Sequence, residues 1–315
     1  MTSIDQLPRP AARRGWVRAA GWVRVSHGVY RPRLGEPGLA EDLHGWQFVL
    51  PPSGSFTHLT GAILRGWWVP PLPAALPVFA GMSQSEARPR RAGLLVCRHP
   101  GDIPSEEQAG LRVATATEIL LAAGRDLGLL DMVVLTDAAL HVGDCTMPEL
   151  RQASSRRRGA PALRRALRYA DGRSESAWES VLRLLHQLCG VPVVPQFPIL
   201  DGEGVARARA DLWIEGTRRL PEYDGAVHRN GKQHTRDLAR ERFLLTQGWQ
   251  RYGYTSPVLL HNGLSVLRDA DEALGRAHEP ARIRPWHAAL AESLFTPAGT
   301  GRLLARWADR RSDRA

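Results

Sequence analysis

The sequence predicts a mixed α/β (α+β) protein, and three observations carry that expectation. Apolar residues recur at helical spacing in long stretches such as 115–123 and 129–141. Short alternating runs bounded by glycine, proline or aspartate read as strands, as at 193–200. Residues 174–256 string these signals together in the order α-β-β-β-α-β. At 315 residues the chain exceeds one ordinary core. It divides into units at 1–40, 41–150, a basic connector at 151–173, a further unit at 174–260 and a helical tail at 261–315.

Taken in order, residues 9–20 are expected as one short helix stopped by Gly21. Strands follow at 22–25 and 29–31, turning at Ser26-His27-Gly28 like a β-wing. The unit at 41–150 offers strands at 76–80 and 93–98 and helices near 57–65, 115–123 and 129–141. His58 and His99 in this unit read as packing or surface histidines, and Trp67-Trp68 as a core or interface anchor. The segment SESAWESVLRLLHQLCG predicts a helix with Ser176 as its cap and Glu179 three residues later, as in a capping box. Gly190 and Pro192 end it. After the strand at 193–200, Asp201-Gly202 marks a hairpin turn and VARARADLWI alternates into its second strand. A third strand is expected at 220–224, then a loop GAVHRNGKQH, an amphipathic helix TRDLARERFLLTQGW stopped by Gly248, and a last strand at 249–254. The tail shows helical patterns at 264–276 and 286–306 and no visible chemistry.

Composition narrows the class. Hydrophobic residues make up 43% and charged ones 23%, which excludes disordered, collagenous and fibrous chains. The net charge of +10 points to an anionic partner such as nucleic acid. Of 42 basic residues only Lys232 is lysine, a skew that GC-rich codon usage also produces, so basicity alone does not decide the matter. Cys97, Cys145 and Cys189 are far apart and form no C-x-x-C pair, which supports neither a zinc knuckle nor a disulfide framework. A reducing cytoplasm is the expected location. No apolar run reads as a signal peptide or membrane span, so no membrane partner is expected.

The chemistry concentrates in 174–256. Asp211 ends an alternating strand and Glu222 lies eleven positions later on the next one, so an antiparallel return would set the two carboxylates side by side. Side chains alternate along a strand, which places Glu222 and Asp224 on one face and Tyr223 on the other. Three converging carboxylates, Asp211, Glu222 and Asp224, are the donor set expected for a hard cation, Mg²⁺ or Mn²⁺. Such an ion polarises a phosphodiester and lowers the pKa of bound water. The run Arg156-Arg157-Arg158 through Arg164, Arg165 and Arg168 is either a solvated face or a nucleic-acid contact.

From Glu175 to about Val258 the chain resembles the Vsr-like branch of the PD-(D/E)XK nuclease superfamily, the domain related to very-short-patch repair endonucleases. The motifs are S-x-x-E at Ser176 and Glu179, A-D-L at Ala210 to Leu212, E-Y-D-G-x-x-H at Glu222 to His228, and R-E-x-x-L-x-x-x-G-W at Arg240 to Trp249. The resemblance implies a restriction-endonuclease-like core and a metal-dependent endonuclease acting on DNA, in repair or defence. Asp211, Glu222 and Asp224 would hold the metal, Asp224 standing where many members have lysine. His228 would act as an acid–base group or orient water, and Glu179 would reach the metal through water or serve only as a cap. Lys232, Arg236 and Arg240 would contact phosphate, as would Arg156, Arg157 and Arg158. Pro221 departs from the usual β-branched residue and removes a backbone donor, a change tolerated mainly at an edge or bulge.

The front half resembles AbiEi-type antitoxins. SHGVYRP looks like the end of a truncated winged helix, and FTHLTGAILRGWWVP, LPVFAG, RAGLLVCRH and LRVATATEILLAAGRDLGLLDMVVLTDAAL resemble the middle domain of those proteins. That resemblance implies a second reading, a non-catalytic DNA-binding transcriptional regulator. DNA is the expected partner, RNA an alternative polymer, and a partner protein of a toxin–antitoxin or defence system a further one.

Overall fold

The computed structural model describes residues 12–15, 21–33, 39–225 and 231–312, with the backbone alone for 39–41, 231–238 and 310–312. It is mixed α/β, as the sequence predicts. Strands β1 (Arg13–Arg14), β2 (Trp22–Ser26) and β3 (Val29–Pro32) form an antiparallel sheet in the order β1-β3-β2. The β2–β3 hairpin turns at His27-Gly28, where Gly28 takes φ 69°, a left-handed conformation that costs glycine little. The helix expected at 9–20 is corrected at its described residues. Arg13 and Arg14 are extended because they pair with Tyr30 and Val29 on β3. A cross-strand ladder here overrides weak local helix propensity.

The next stretch builds α1 (Leu39–Gln47), β4 (Ser55–Phe56), α2 (His58–Leu64), β5 (Val78–Ser83), β6 (Leu94–His99), β7 (Ser105–Gln108) and β8 (Leu111–Ala114). Helices α3 (Ala116–Ala123), α4 (Leu129–His141), α5 (Met147–Ala153) and α6 (Ala160–Ala166) follow. The five strands order as β6-β5-β4-β8-β7, with β5 parallel to β6 and β4 parallel to β8. All six residues of β5 are buried, as expected for a strand covered on both faces. His58 stacks on Phe79 with ring centroids 4.0 Å apart, and Trp67 is buried with its indole N–H donated to Asp144, so both serve packing. The hairpin β7–β8 and helix α1 carry too little apolar alternation to be read from sequence; Ser105–Gln108 is a polar, mostly exposed edge.

Helix α7 (Ala177–Leu188), strands β9 (Val193–Leu200), β10 (Ala206–Ile214) and β11 (Arg219–Tyr223), helix α8 (Gly231–Thr246) and strand β12 (Gln250–Tyr254) realise the α-β-β-β-α-β order. β9 and β10 are an antiparallel hairpin, while β11 and β12 are parallel. β10 and β11 lie alongside each other without a shared ladder. Pro221 gives the reason. Asp224 N–H donates to Tyr254, so even-numbered residues of β11 face β12 and odd-numbered ones face β10. The missing donor of Pro221 therefore falls on the β10 side, and the next donor there, Tyr223 N–H, goes to the Asp211 carboxylate.

The tail forms α9 (Ser256–His261), α10 (Gly263–Ala273), α11 (Arg284–Ala291) and α12 (Pro297–Ser312). The single helix expected over 286–306 is thus two. The break is held by the buried carboxylate of Asp131 on α4, which accepts from the Ser293 hydroxyl and the Leu294 N–H. One cluster of buried apolar residues runs from Leu43 to Trp307, so the tail and the middle of the chain share a core. Trp307 on α12 packs edge-on against Phe79 of β5 and His58. Cys97, Cys145 and Cys189 are buried and not joined by disulfides, and among the described residues no helix is long and apolar enough to cross a membrane.

One charged pair lies wholly inside this core. Arg183 on α7 and Asp137 on α4 are both 0% exposed and paired. Asp137 also accepts from the Ser180 hydroxyl and the Asp171 N–H at 2.7 Å, and Arg183 also donates to the Tyr169 carbonyl and Gln187. With every polar atom of the pair engaged, removal of one partner leaves a buried, unpaired charge. Asp137→Ala is expected to lose roughly 3–5 kcal/mol in urea denaturation, and Asp137→Ala with Arg183→Leu to recover part of that loss.

Candidate functional site

The site is assembled at the first turn of α7. Ser176 caps the helix, accepting from the Glu179 N–H at 3.2 Å. The Glu179 carboxylate accepts in turn from the Ser176 hydroxyl at 2.9 Å and from the Glu175 N–H at 2.8 Å, so the expected Ser176 cap is present while Glu179 bonds the backbone N–H one residue before the one a capping box uses. Its second oxygen also accepts from Gln196 Nε2 at 2.8 Å, which ties the cap to β9. Trp178, the preceding residue, stacks on Tyr223 with centroids 5.3 Å apart and planes 8° from parallel, pinning the helix start beside β11.

Asp211 on β10 and Glu222 on β11 are brought together as the spacing predicts. Asp211 accepts from the Tyr223 N–H at 2.9 Å and is largely buried. Its carboxyl is pushed up to about 7, first by burial and then by the neighbouring Glu179 and Glu222 carboxylates; the Tyr223 N–H and Arg240 oppose the shift. Glu222, only 6% exposed at its side chain, is clamped by two guanidinium groups, Arg240 from α8 and Arg251 from β12. Arg240 also donates to the Arg209 carbonyl at 2.9 Å. The phosphate-contact residue expected at Arg240 is therefore engaged within the site.

Asp224 departs from the expected donor set. Arg251 binds Glu222 with Nε and Asp224 with Nη2, so a cation of the protein stands between the two carboxylates that were expected to share a metal. Parallel pairing sets Gly253 opposite Glu222, and a Cβ at 253 would overlap the Asp224 carboxylate. The glycine thus lets Asp224 fold over β12 onto Arg251. Among the described residues no group of three or more histidine, cysteine, aspartate or glutamate side chains is arranged to hold a metal ion. Asp211, Glu222 and Glu179 present oxygen donors, the class a hard divalent cation takes, but both Glu222 oxygens are bonded by Arg240 and Arg251 and both Glu179 oxygens by Ser176, Glu175 and Gln196, while Asp224 is held by Arg251.

His228 lies outside the described residues, and Lys232 and Arg236 sit on α8 with side chains likewise outside them. Arg156, Arg157 and Arg158 belong to the turn before α6 and take no part in the acid cluster; Arg157 pairs with Glu118 at 2.6 Å. Sequence reasoning misses Arg251 and Gln196. The signal for Arg251 is its place two residues before Gly253, on the face that parallel pairing turns toward Glu222.

Over 241 residues the chain is 31% identical to two Mycobacterium tuberculosis proteins, uncharacterized protein MT2308 of strain CDC 1551 / Oshkosh and uncharacterized protein Rv2248 of strain H37Rv. The match covers 74% of this chain and 85% of each relative. The chain belongs to their family. No family model matches it, and no solved structure does.

The raised pKa of Asp211 carries a stability consequence. A carboxyl moved from 3.8 to about 7 favours folding fully below about pH 4, and that contribution is lost as pH rises through 7. Asp211→Asn keeps an acceptor for Tyr223 and removes the charge. It is expected to be more stable than the parent at pH 8 by roughly 1–3 kcal/mol and to show no such margin at about pH 4, as read by thermal denaturation.

Proposed function

We propose that the chain is a metal-dependent endonuclease that hydrolyses DNA phosphodiester bonds at the Asp211 cluster. The observation that carries the reading is the placement of Asp211: a largely buried carboxylate on β10 that accepts from the Tyr223 N–H of β11 and lies beside the Glu179 and Glu222 carboxylates. Arg240 and Arg251 offset the charge of Glu222, and the acidic surroundings that push Asp211 upward are what a bound cation would relieve. The α-β-β-β-α-β order around it supports a restriction-endonuclease-like core of the Vsr-like kind. Asp211 and Glu222 would hold Mg²⁺ or Mn²⁺, with Glu179 alongside. When bound, the ion supplies positive charge to the scissile phosphate and acidifies water.

The chain's own residues do the rest. Tyr223 N–H orients the Asp211 carboxylate, and the Trp178–Tyr223 stack holds Glu179 next to it. Arg240 and Arg251 fix Glu222 in place and bring two planar guanidinium groups to the cluster, donors suited to phosphate oxygens. The second reading, a non-catalytic DNA-binding regulator, draws its support from the Asp224–Arg251 pair at the position where a nuclease of this superfamily commonly has lysine.

Nicking of supercoiled plasmid in Mg²⁺ or Mn²⁺ separates the two. Under the nuclease reading, EDTA stops the reaction, and Asp211→Asn and Glu222→Gln each slow it about a hundredfold or more, the rate equivalent of several kcal/mol of lost transition-state stabilisation. Retained DNA binding with no metal-dependent cleavage of plasmid, single strands or mismatched duplex would transfer the assignment to the regulator.

A further inference from the structure

Away from the acid cluster, a groove of about 2040 Å³ opens between β6, the C-terminal turn of α3 and the segment leading into α6. A small-molecule site occupies about 300–1,000 Å³, so this space suits a polymer better than a cofactor. Eight of its 21 lining residues are arginine, against 41 of 315 in the whole chain, and Asp126 is its one acidic residue. Codon bias raises arginine everywhere; it does not gather arginines around one groove.

Arg157 pairs with Glu118, while Arg98, Arg164 and Arg125 meet neutral partners. Arg98 donates to the Gln84 carbonyl and Arg164 to the Ser154 carbonyl, which positions both groups and leaves their charge uncompensated by those bonds. Arg125 faces His99, whose pKa is lowered to about 4 by burial, then by Arg125, so this ring is neutral at pH 7. Arg156 and Arg158 are exposed, in a turn whose placement depends on two glycines. Gly159 takes φ 85°, and a Cβ there would overlap the Leu121 carbonyl oxygen. A Cβ on Gly124 would lie 2.7 Å from the Gly159 carbonyl oxygen. The close approach of these backbones seats the arginine turn on the end of α3. Phe79, the groove's lone aromatic ring apart from His99, is 1% exposed and offers no platform for stacking bases.

We propose that this groove is a binding track for the phosphodiester backbone of nucleic acid, separate from the acid cluster and indifferent to base sequence. Dense positive charge without a stacking surface recognises phosphate and not bases. The inference shares with the preceding section the reading that the partner is nucleic acid, and it does not depend on catalysis.

The test is fluorescence anisotropy of the full chain in EDTA, with a labelled single strand of about 30 nucleotides and the matching duplex, between about 50 and 200 mM KCl. The variant Arg98→Glu/Arg156→Glu/Arg158→Glu is expected to bind about tenfold or more weakly, with a salt dependence reduced by about one power of concentration per arginine removed. Reversal of three exposed arginines outside the groove, Arg268, Arg284 and Arg302, controls for net charge and should leave affinity within about twofold. Gly159→Ala, which displaces the turn without altering charge, should also weaken binding while circular dichroism confirms the fold. Binding of the groove variant equal to the parent's overturns the proposal, as does an equal loss in the control variant. Because the anisotropy is read in EDTA, absence of plasmid cleavage leaves this inference standing, and parent-like binding by the groove variant sinks it alone.

Discussion

The buried pair between Asp137 and Arg183 sets the frame for the rest of the molecule. Two charges with no exposure are tolerable only when they meet each other and when the remaining lone pairs and protons are taken up by neighbours. Here those neighbours are Ser180 on α7, the Asp171 N–H and the Tyr169 carbonyl. That requirement locks α7 against α4 and orders the 169–174 segment between α6 and α7. α7 then carries Glu179 to Asp211, and α6 forms one wall of the arginine-lined groove. Both charged regions are thus positioned from the same internal contact.

The two regions have opposite sign and different design. In the acid cluster, carboxylates from α7, β10 and β11 are crowded, and Arg240 and Arg251 offset the charge of Glu222 while leaving Asp211 shifted upward. In the groove, Arg98 and Arg164 are braced by carbonyl oxygens and Arg125 by a neutral histidine, which orient them without cancelling them, and Arg157 pairs with Glu118. An anionic polymer held along the groove would complement its charge; a cation would relieve the acid cluster.

Local signals were strong where periodicity and punctuation coincide. The caps and stops of α7, the Asp201-Gly202 turn and the alternating strand to Asp211 are legible because each rests on contacts within a few residues. The pairing of Asp211 with Glu222 is legible too, since strand alternation and an eleven-residue spacing allow few alternatives. The expected third donor, Asp224, was not decided this way. Its direction depends on Arg251 and Gly253, which come from a strand nearly thirty residues later and pair with β11 in parallel. The residues at 13–14 escaped for a similar reason, their extended form being imposed by β3. The break between α11 and α12 likewise depends on Asp131, more than 160 residues away in sequence.

By itself the sequence determined the mixed α/β class, the order α-β-β-β-α-β, the capping of α7 and the residues from which an acid cluster would be built. Those features follow from side-chain periodicity, turn chemistry and short-range hydrogen bonding. Tertiary structure decided which carboxylates face one another, which are clamped by arginine, and that scattered arginines from three segments surround one groove. Long-range packing makes those choices: parallel pairing of β11 with β12, the buried Asp137–Arg183 contact, and a glycine approach between Gly159 and α3 that no local pattern announces.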